Sequence, residues 1–237
     1  MGPAAQNLAI KYQIPRTEQD AYAVRSHELA MAAKLAGELD AELVAVDGIS
    51  EDDAPSPKIA SLIGRLAPLY VGAEQADLAV TGGNSSRNSD GAAVVAITAD
   101  AARNGAPGLA LIDSVTLGKS TDLPGIGPVG AVDKLLNRNG LSMDDIAAFE
   151  IVEAFGAQTL SVLQALGLAD HFKIDDRVCS QGGSLAFGHP WGASGALIVT
   201  RLFSRLVVGG AEAGELGLAT VAVGGGMGVA ALFEVVR

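Results

Sequence analysis

The sequence predicts an α/β fold in two unequal parts: a helical segment over residues 1–75 and an alternating strand–helix segment over 76–237. Three observations predict it. Residues 17–38 are rich in Ala, with apolar positions at 21, 24, 29, 32 and 35 near a helical period. From residue 77 onward, short apolar runs alternate with helical stretches, the order expected of helices layered on a sheet. Aromatics make up only 4% while Gly contributes 30 residues, so the core is built of small side chains that let elements approach closely.

Taken in order, Thr17 with Glu18, Gln19 and Asp20, just after Pro15, marks a helix start. The acidic segment 47–58, with two prolines, reads as an exposed loop. Ala92–Thr98 reads as a strand, followed by a short helix that stops at Gly105. Leu109–Leu117 is strand-like, Val129–Asn137 helical, and Ala147–Ile151 a strand leading into a helix from about 154 to 166. A long helix is expected from about Gly192 to Val207. Leu218–Val223 and Val229–Val236 flank a Gly-rich turn as a strand pair.

The formal charge of −11 and isoelectric point near 4.6 argue against a nucleic-acid or anionic-membrane partner. Mean hydropathy is +0.33, yet Gly or a charged residue breaks every long apolar run, and the N-terminus lacks the basic and apolar regions of a signal peptide. A cytoplasmic location is therefore expected. The single cysteine, Cys179, excludes an intrachain disulfide and any multi-cysteine metal site, and three scattered histidines give no metal centre.

Three segments carry candidate chemistry. In GGSLAFGHPWGASG (182–195) an imidazole, His189, lies between glycines at the mouth of a helix, a setting for a general base or an oxyanion donor, or for a plain turn cap. GGGMG (224–228) lies between two apolar strands, where a simple hairpin turn is the plainer account. GGNSSRNSDG (82–91) offers hydroxyls and exposed backbone to a ligand, or is an ordinary polar loop. Glu150 and Glu153 are spaced as a carboxylate pair on one helix face, although a carboxylate at a helix start explains Glu153 equally well. Cys179 has no adjoining charge and fits a buried thiol better than a nucleophile. His27 and His171 lie on surface-type segments.

Together these segments resemble the thiolase family of coenzyme A-dependent acyltransferases. MGPAAQNLAIKYQIPRTEQDAYAVRSHELA is similar to the end of the family's loop domain, and GGNSSRNSDGAA, GIGP, EIVEAFGAQ, GGSLAFGHPWGASGA and VGGGMGVA follow at family-like spacing. The resemblance implies the C-terminal half of a layered α/β/α/β/α fold, preceded by a helical loop-domain segment. His189 matches the histidine that activates the nucleophilic cysteine and helps form an oxyanion hole. Gly225 and Gly226 fall in the loop lining the second oxyanion hole, and Ser86 matches a serine that contacts pantetheine. Met1, in the Met-Gly opening, and Arg65 are placed on the coenzyme A side, Arg65 standing in for a basic residue often found where this chain has Ala67.

Two matches fail. Ala222 stands where the family has an acid/base cysteine, and Val152 where an Asn or His holds an oxyanion-hole water. Neither side chain can move a proton or bind water. The chain also begins after the family's nucleophilic cysteine, which implies a split enzyme with that residue on a second chain, or a fragment of a longer one. The expected function is thus one subunit of a heteromeric acyltransferase, an α₂β₂ heterotetramer, that makes or breaks a C–C bond beside an acyl thioester and is inactive when isolated. Its substrate is an acyl-coenzyme A or acyl-carrier-protein thioester, with no permanently bound cofactor. A thiolase-like aldolase or lyase and a non-catalytic scaffolding half are the alternatives.

Overall fold

A computed structural model describes residues 1–119 and 121–237. Helix α1 (Gly2–Tyr12) ends at Gln13, whose φ of 53° turns the chain toward Pro15. Helix α2 (Arg16–Leu35) begins directly after that proline, one residue ahead of Thr17. The face that α2 buries is not the apolar stripe expected from its sequence. Tyr22, Ala23, Ser26, His27, Ala30 and Ala33 point inward, whereas Leu35 is 90% exposed. Polar side chains can occupy this face because they find donors or acceptors there: Gln19 Nε2 donates to the carbonyls of Ile14 and Leu78 at 3.0 and 3.3 Å.

The acidic segment 47–58 is irregular and largely exposed, as expected. Residues 92–98 depart from expectation. They form no ladder among the described residues, and Val94 and Ile97 are 92% and 93% exposed. An apolar, β-branched run becomes a strand only against a neighbour that takes its backbone hydrogen bonds.

The sheet holds β1 (Gly108–Gly118), β2 (Ile146–Ile151), β3 (Leu216–Val223) and β4 (Met227–Val236) in the order β1-β4-β3-β2. β4 pairs antiparallel with β1 and β3, while β2 and β3 run parallel. Between β1 and β2 lies α3 (Gly127–Asn139). The parallel crossover from β2 to β3 contains α4 (Gly156–Ala165) and α5 (Ser194–Leu202), the latter continuing in a wider winding over Phe203–Val208. Alternation along the strands sorts the two faces. Phe149, Ile151, Leu218 and Leu232 join the core made with α3 and α4, behind which α1 and α2 pack. Ala148, Ala219, Phe233 and Val235 face Ile198, Leu202 and Leu206 of the α5 segment.

Trp191–Val208 is long and apolar enough to cross a membrane by length and composition. Its charges point instead to a core role. Arg205, nearly buried, donates to Glu150 at 2.6 Å and to the carbonyls of Phe149 and Arg177, and Arg201 pairs with Glu42.

Candidate functional site

Two of the three candidate segments, GGNSSRNSDG and GGSLAFGHPWGASG, meet in the fold, together with the EAF stretch that follows β2. Residues 84–88 are clamped from two sides. Ser86 N–H donates to Ala154 O at 2.9 Å, and Ser86 Oγ donates to Ser184 O at 2.6 Å. One residue on, His189 N–H donates to Arg87 O at 2.9 Å. The GGNSSRNSDG, EAF and GHP segments thus share one hydrogen-bonded seam, with Ser86 and His189 at its centre.

Glu153 is the anchor beneath that seam. It is fully buried and accepts from Tyr22 Oη at 2.8 Å, Ser26 Oγ at 2.7 Å and Leu185 N–H at 3.2 Å. Burial raises its carboxyl above the ordinary range, against the lowering effect of those donors. Gly183 lies so close to the carboxyl that a Cβ there would come within 2.4 Å of Glu153 Cδ, so only glycine lets the chain pass. Glu150 turns to Arg205 instead, and the carboxylate pair expected from spacing is not formed. The sequence does not single out Tyr22 and Ser26. Both are distant in the chain and lie on a helix face where apolar residues are the usual inward signal.

His189 is half-buried, and burial lowers its proton affinity. Its Nδ1 lies 2.5 Å from Oγ of the buried Ser194. A hydroxyl can accept or donate, so Ser194 supports either tautomer. With Nδ1–H donating, Nε2 is free as a base; with Ser194 donating, Nε2–H becomes an oxyanion donor. Both expected roles of His189 are chemically open in this arrangement.

Gly225 and Gly226 form the turn between β3 and β4, with φ of 88° and 87°. Below them Gly228 packs directly on Gly127 at the start of α3, where a Cβ on either residue would strike backbone. Gly226 O accepts from Lys119 N–H at 2.7 Å. Gly118, Lys119, Thr121, Gly225 and Gly226 line an open cavity of about 420 Å³. Among the described residues no hydrogen bond joins this turn to the His189 seam. Ala222 sits on the strand just before it, paired with Gly228. Val152 is buried with Ile198 and Leu202, so no polar group is presented there.

The remaining candidates lie elsewhere. Met1 caps α1 and is exposed, and Arg65 is the exposed end of a short turn (Ile63–Arg65) that Arg16 holds through the carbonyls of Ile63 and Leu66. Neither hydrogen-bonds to the His189 seam among the described residues. His27 is buried rather than surface-placed: Nδ1 accepts from Ser56 N–H at 3.1 Å, which the helical pattern alone could not indicate. His171 is exposed and pairs with Glu18.

Cys179 is fully buried, and burial, with Glu150 and Glu153 nearby, pushes its thiol well above the ordinary value. A thiol reagent is therefore expected to leave Cys179 untouched in the folded chain and to label it only on denaturation. Rapid labelling of the native protein would contradict the burial.

Residues 1–101 match the family model described as thiolase, N-terminal domain, and residues 107–235 match that of thiolase, C-terminal domain. The chain belongs to the thiolase family. It is 41% identical over 248 residues to a 3-ketoacyl-CoA thiolase of Erwinia tasmaniensis and 37% identical over 246 residues to that of Aliivibrio fischeri. In both cases the match covers 99% of this chain and 62% of the relative. The crystal structure of the Bacillus anthracis acetyl-CoA acetyltransferase superposes with a TM-score of 0.88 at 33% identity, covering 100% of this chain and 60% of that one. A thiolase from Ascaris suum, solved in complex with coenzyme A, gives 0.82 at 28% identity, covering 99% and 59%. The α/β layering around the sheet is therefore the thiolase fold. Because residues 1–101 match the N-terminal domain, part of that domain is in this thiolase chain itself, and a partner carrying the N-terminal half finds no support in the match.

Proposed function

We propose that this chain supplies the histidine side of a thiolase-type acyltransferase that makes or breaks a C–C bond next to a coenzyme A thioester. The observation that carries the reading is the seam in which Ser86 and His189 are brought together, with Ser194 behind the imidazole. The nucleophile that takes the acyl group is not Cys179, which is buried and is the only cysteine in the 237 residues. We assign it to sequence beyond these residues or to a partner chain, in a heteromer whose isolated subunit is inactive. In the cleavage direction, His189 takes the proton of that cysteine, and the thiolate adds to the keto carbon of a 3-ketoacyl thioester. The C–C bond breaks, leaving an acyl-cysteine and the enolate of the departing thioester, which takes up a proton. The thiol of coenzyme A then displaces the acyl group.

The test is thiolysis of a 3-ketoacyl-coenzyme A by the assembled protein, with Cys179→Ala as a control that keeps its activity. Absence of turnover together with absence of acyl transfer to any cysteine would overturn the proposal.

A second reading has specific support. Ala222 and the apolar burial of Val152 remove the acid/base group and the holder of an oxyanion-hole water that the family resemblance leads one to expect. Such a site suits a lyase that needs no acyl-cysteine. Ala222→Cys separates the two: an acyltransferase missing only its acid/base is expected to gain turnover by about tenfold or more, since a positioned acid or base typically contributes far more than that. A lyase gains nothing.

A further inference from the structure

Trp191, two residues beyond His189, is the only tryptophan in the chain, and it is 70% exposed. An exposed indole would ordinarily be free to rotate, but this one is held. Its Nε1–H donates to Asn88 Oδ1 at 3.1 Å, and Asn88 itself lies in the seam beside His189. The ring centroids of Trp191 and His189 are 6.4 Å apart, with the planes tilted by 34°. The backbone is held as well. Trp191 has a φ of 32°, in the left-handed region that non-glycine residues rarely enter, between Pro190 and a glycine with open space around it. Such a conformation persists only where its surroundings impose it, and the hydrogen bond to Asn88 holds the indole upon it.

In the reading above, the thiol that His189 deprotonates sits within about 3–3.5 Å of the imidazole, and the carbon it attacks lies one bond beyond. Substituents one to three bonds from that carbon then pass within van der Waals reach of the indole. Resting on the acyltransferase reading above, we propose that Trp191 is a specificity-determining residue: its fixed, exposed face is the platform on which the apolar acyl chain of the thioester lies, so that medium-length chains are bound in preference to acetyl. Covering an exposed aromatic face with methylene groups is favourable in proportion to the area removed from water, which is the source of the preference. The hydrogen bond to Asn88 keeps the polar edge of the indole satisfied while its face is covered.

Because Trp191 is the sole tryptophan, its fluorescence reports the contact without any turnover. Octanoyl-coenzyme A, acetyl-coenzyme A and free coenzyme A are titrated into the full chain by calorimetry and by fluorescence. Octanoyl-coenzyme A is expected to shift the emission to shorter wavelength, with a much smaller response to the other two. Trp191→Ala is expected to weaken octanoyl-coenzyme A binding about tenfold or more, given the area lost, and to leave free coenzyme A unchanged. Trp191→Phe, which keeps an apolar face but not the Nε1–H donor, should retain most of the preference. Calorimetric binding with no change in emission, or an equal loss for all three ligands in Trp191→Ala, overturns the platform and leaves the acyltransferase reading standing. No binding of any of the three by the assembled protein overturns both.

Discussion

Replacing His189 with alanine is expected to reduce turnover of the assembled enzyme by at least about 10²–10³-fold, the usual cost of one oxyanion donor, with the loss of a base added to it. The fold should survive, because the ring is half-buried and its one side-chain partner, Ser194, is a small hydroxyl. His189→Asn separates the two roles, since it keeps an N–H donor of similar bulk but cannot act as a base. Equal losses in both variants assign the residue to proton transfer. An Asn variant much more active than Ala assigns it to the oxyanion. Near wild-type turnover in both would remove His189 from the chemistry and leave this chain a scaffold.

The pH dependence follows from the same environment. Burial disfavours the imidazolium, so neutral His189 persists to lower pH than an exposed histidine would. Activity that uses the neutral base is lost as pH falls through this lowered value. The acid limb of kcat/KM should therefore sit below the ordinary histidine range and vanish in His189→Asn. A limb above that range would mean another group titrates.

What the sequence disclosed was local. The strand pair around the glycine turn, the helix after β1 and the setting of His189 among glycines before a helix are legible because each depends on a short pattern: alternation, a glycine at positive φ, an imidazole among small residues. What it concealed was long-range. Helix α2 turns a polar face inward because Glu153, 127 residues away from Ser26, supplies a partner for it. Periodicity arguments assume that buried means apolar, and a hydrogen-bonded polar face defeats them. Residues 92–98 fail for the opposite reason. Val94, Val95 and Ile97 carry every local sign of a strand, but a strand is a property of two segments, and no second segment lies beside this one among the described residues.

The largest stability effect is expected at Glu153. Glu153→Ala would leave three buried donors, Tyr22 Oη, Ser26 Oγ and Leu185 N–H, without their acceptor, and would open a cavity beside Gly183. At about 1–3 kcal/mol for each unsatisfied group, a loss of about 3 kcal/mol or more is expected in denaturant unfolding. Glu153→Gln should cost far less, because the amide keeps an acceptor for Ser26 and Leu185 while the Tyr22 hydroxyl can rotate to accept from its N–H₂. The two variants also differ in their pH response. The folded-state carboxyl of Glu153 binds its proton more tightly than the unfolded chain does. Its favourable contribution is therefore complete below the unfolded carboxyl value and is lost as pH rises through the folded one. Glutamine does not titrate, so the advantage of wild type over Glu153→Gln should shrink as pH rises across that window. A difference that stays constant would show that the buried carboxyl is not shifted. Because Leu185 lies four residues before His189, Glu153→Ala is also expected to lower turnover under conditions where it remains folded, by loosening the His189 seam above the buried carboxyl.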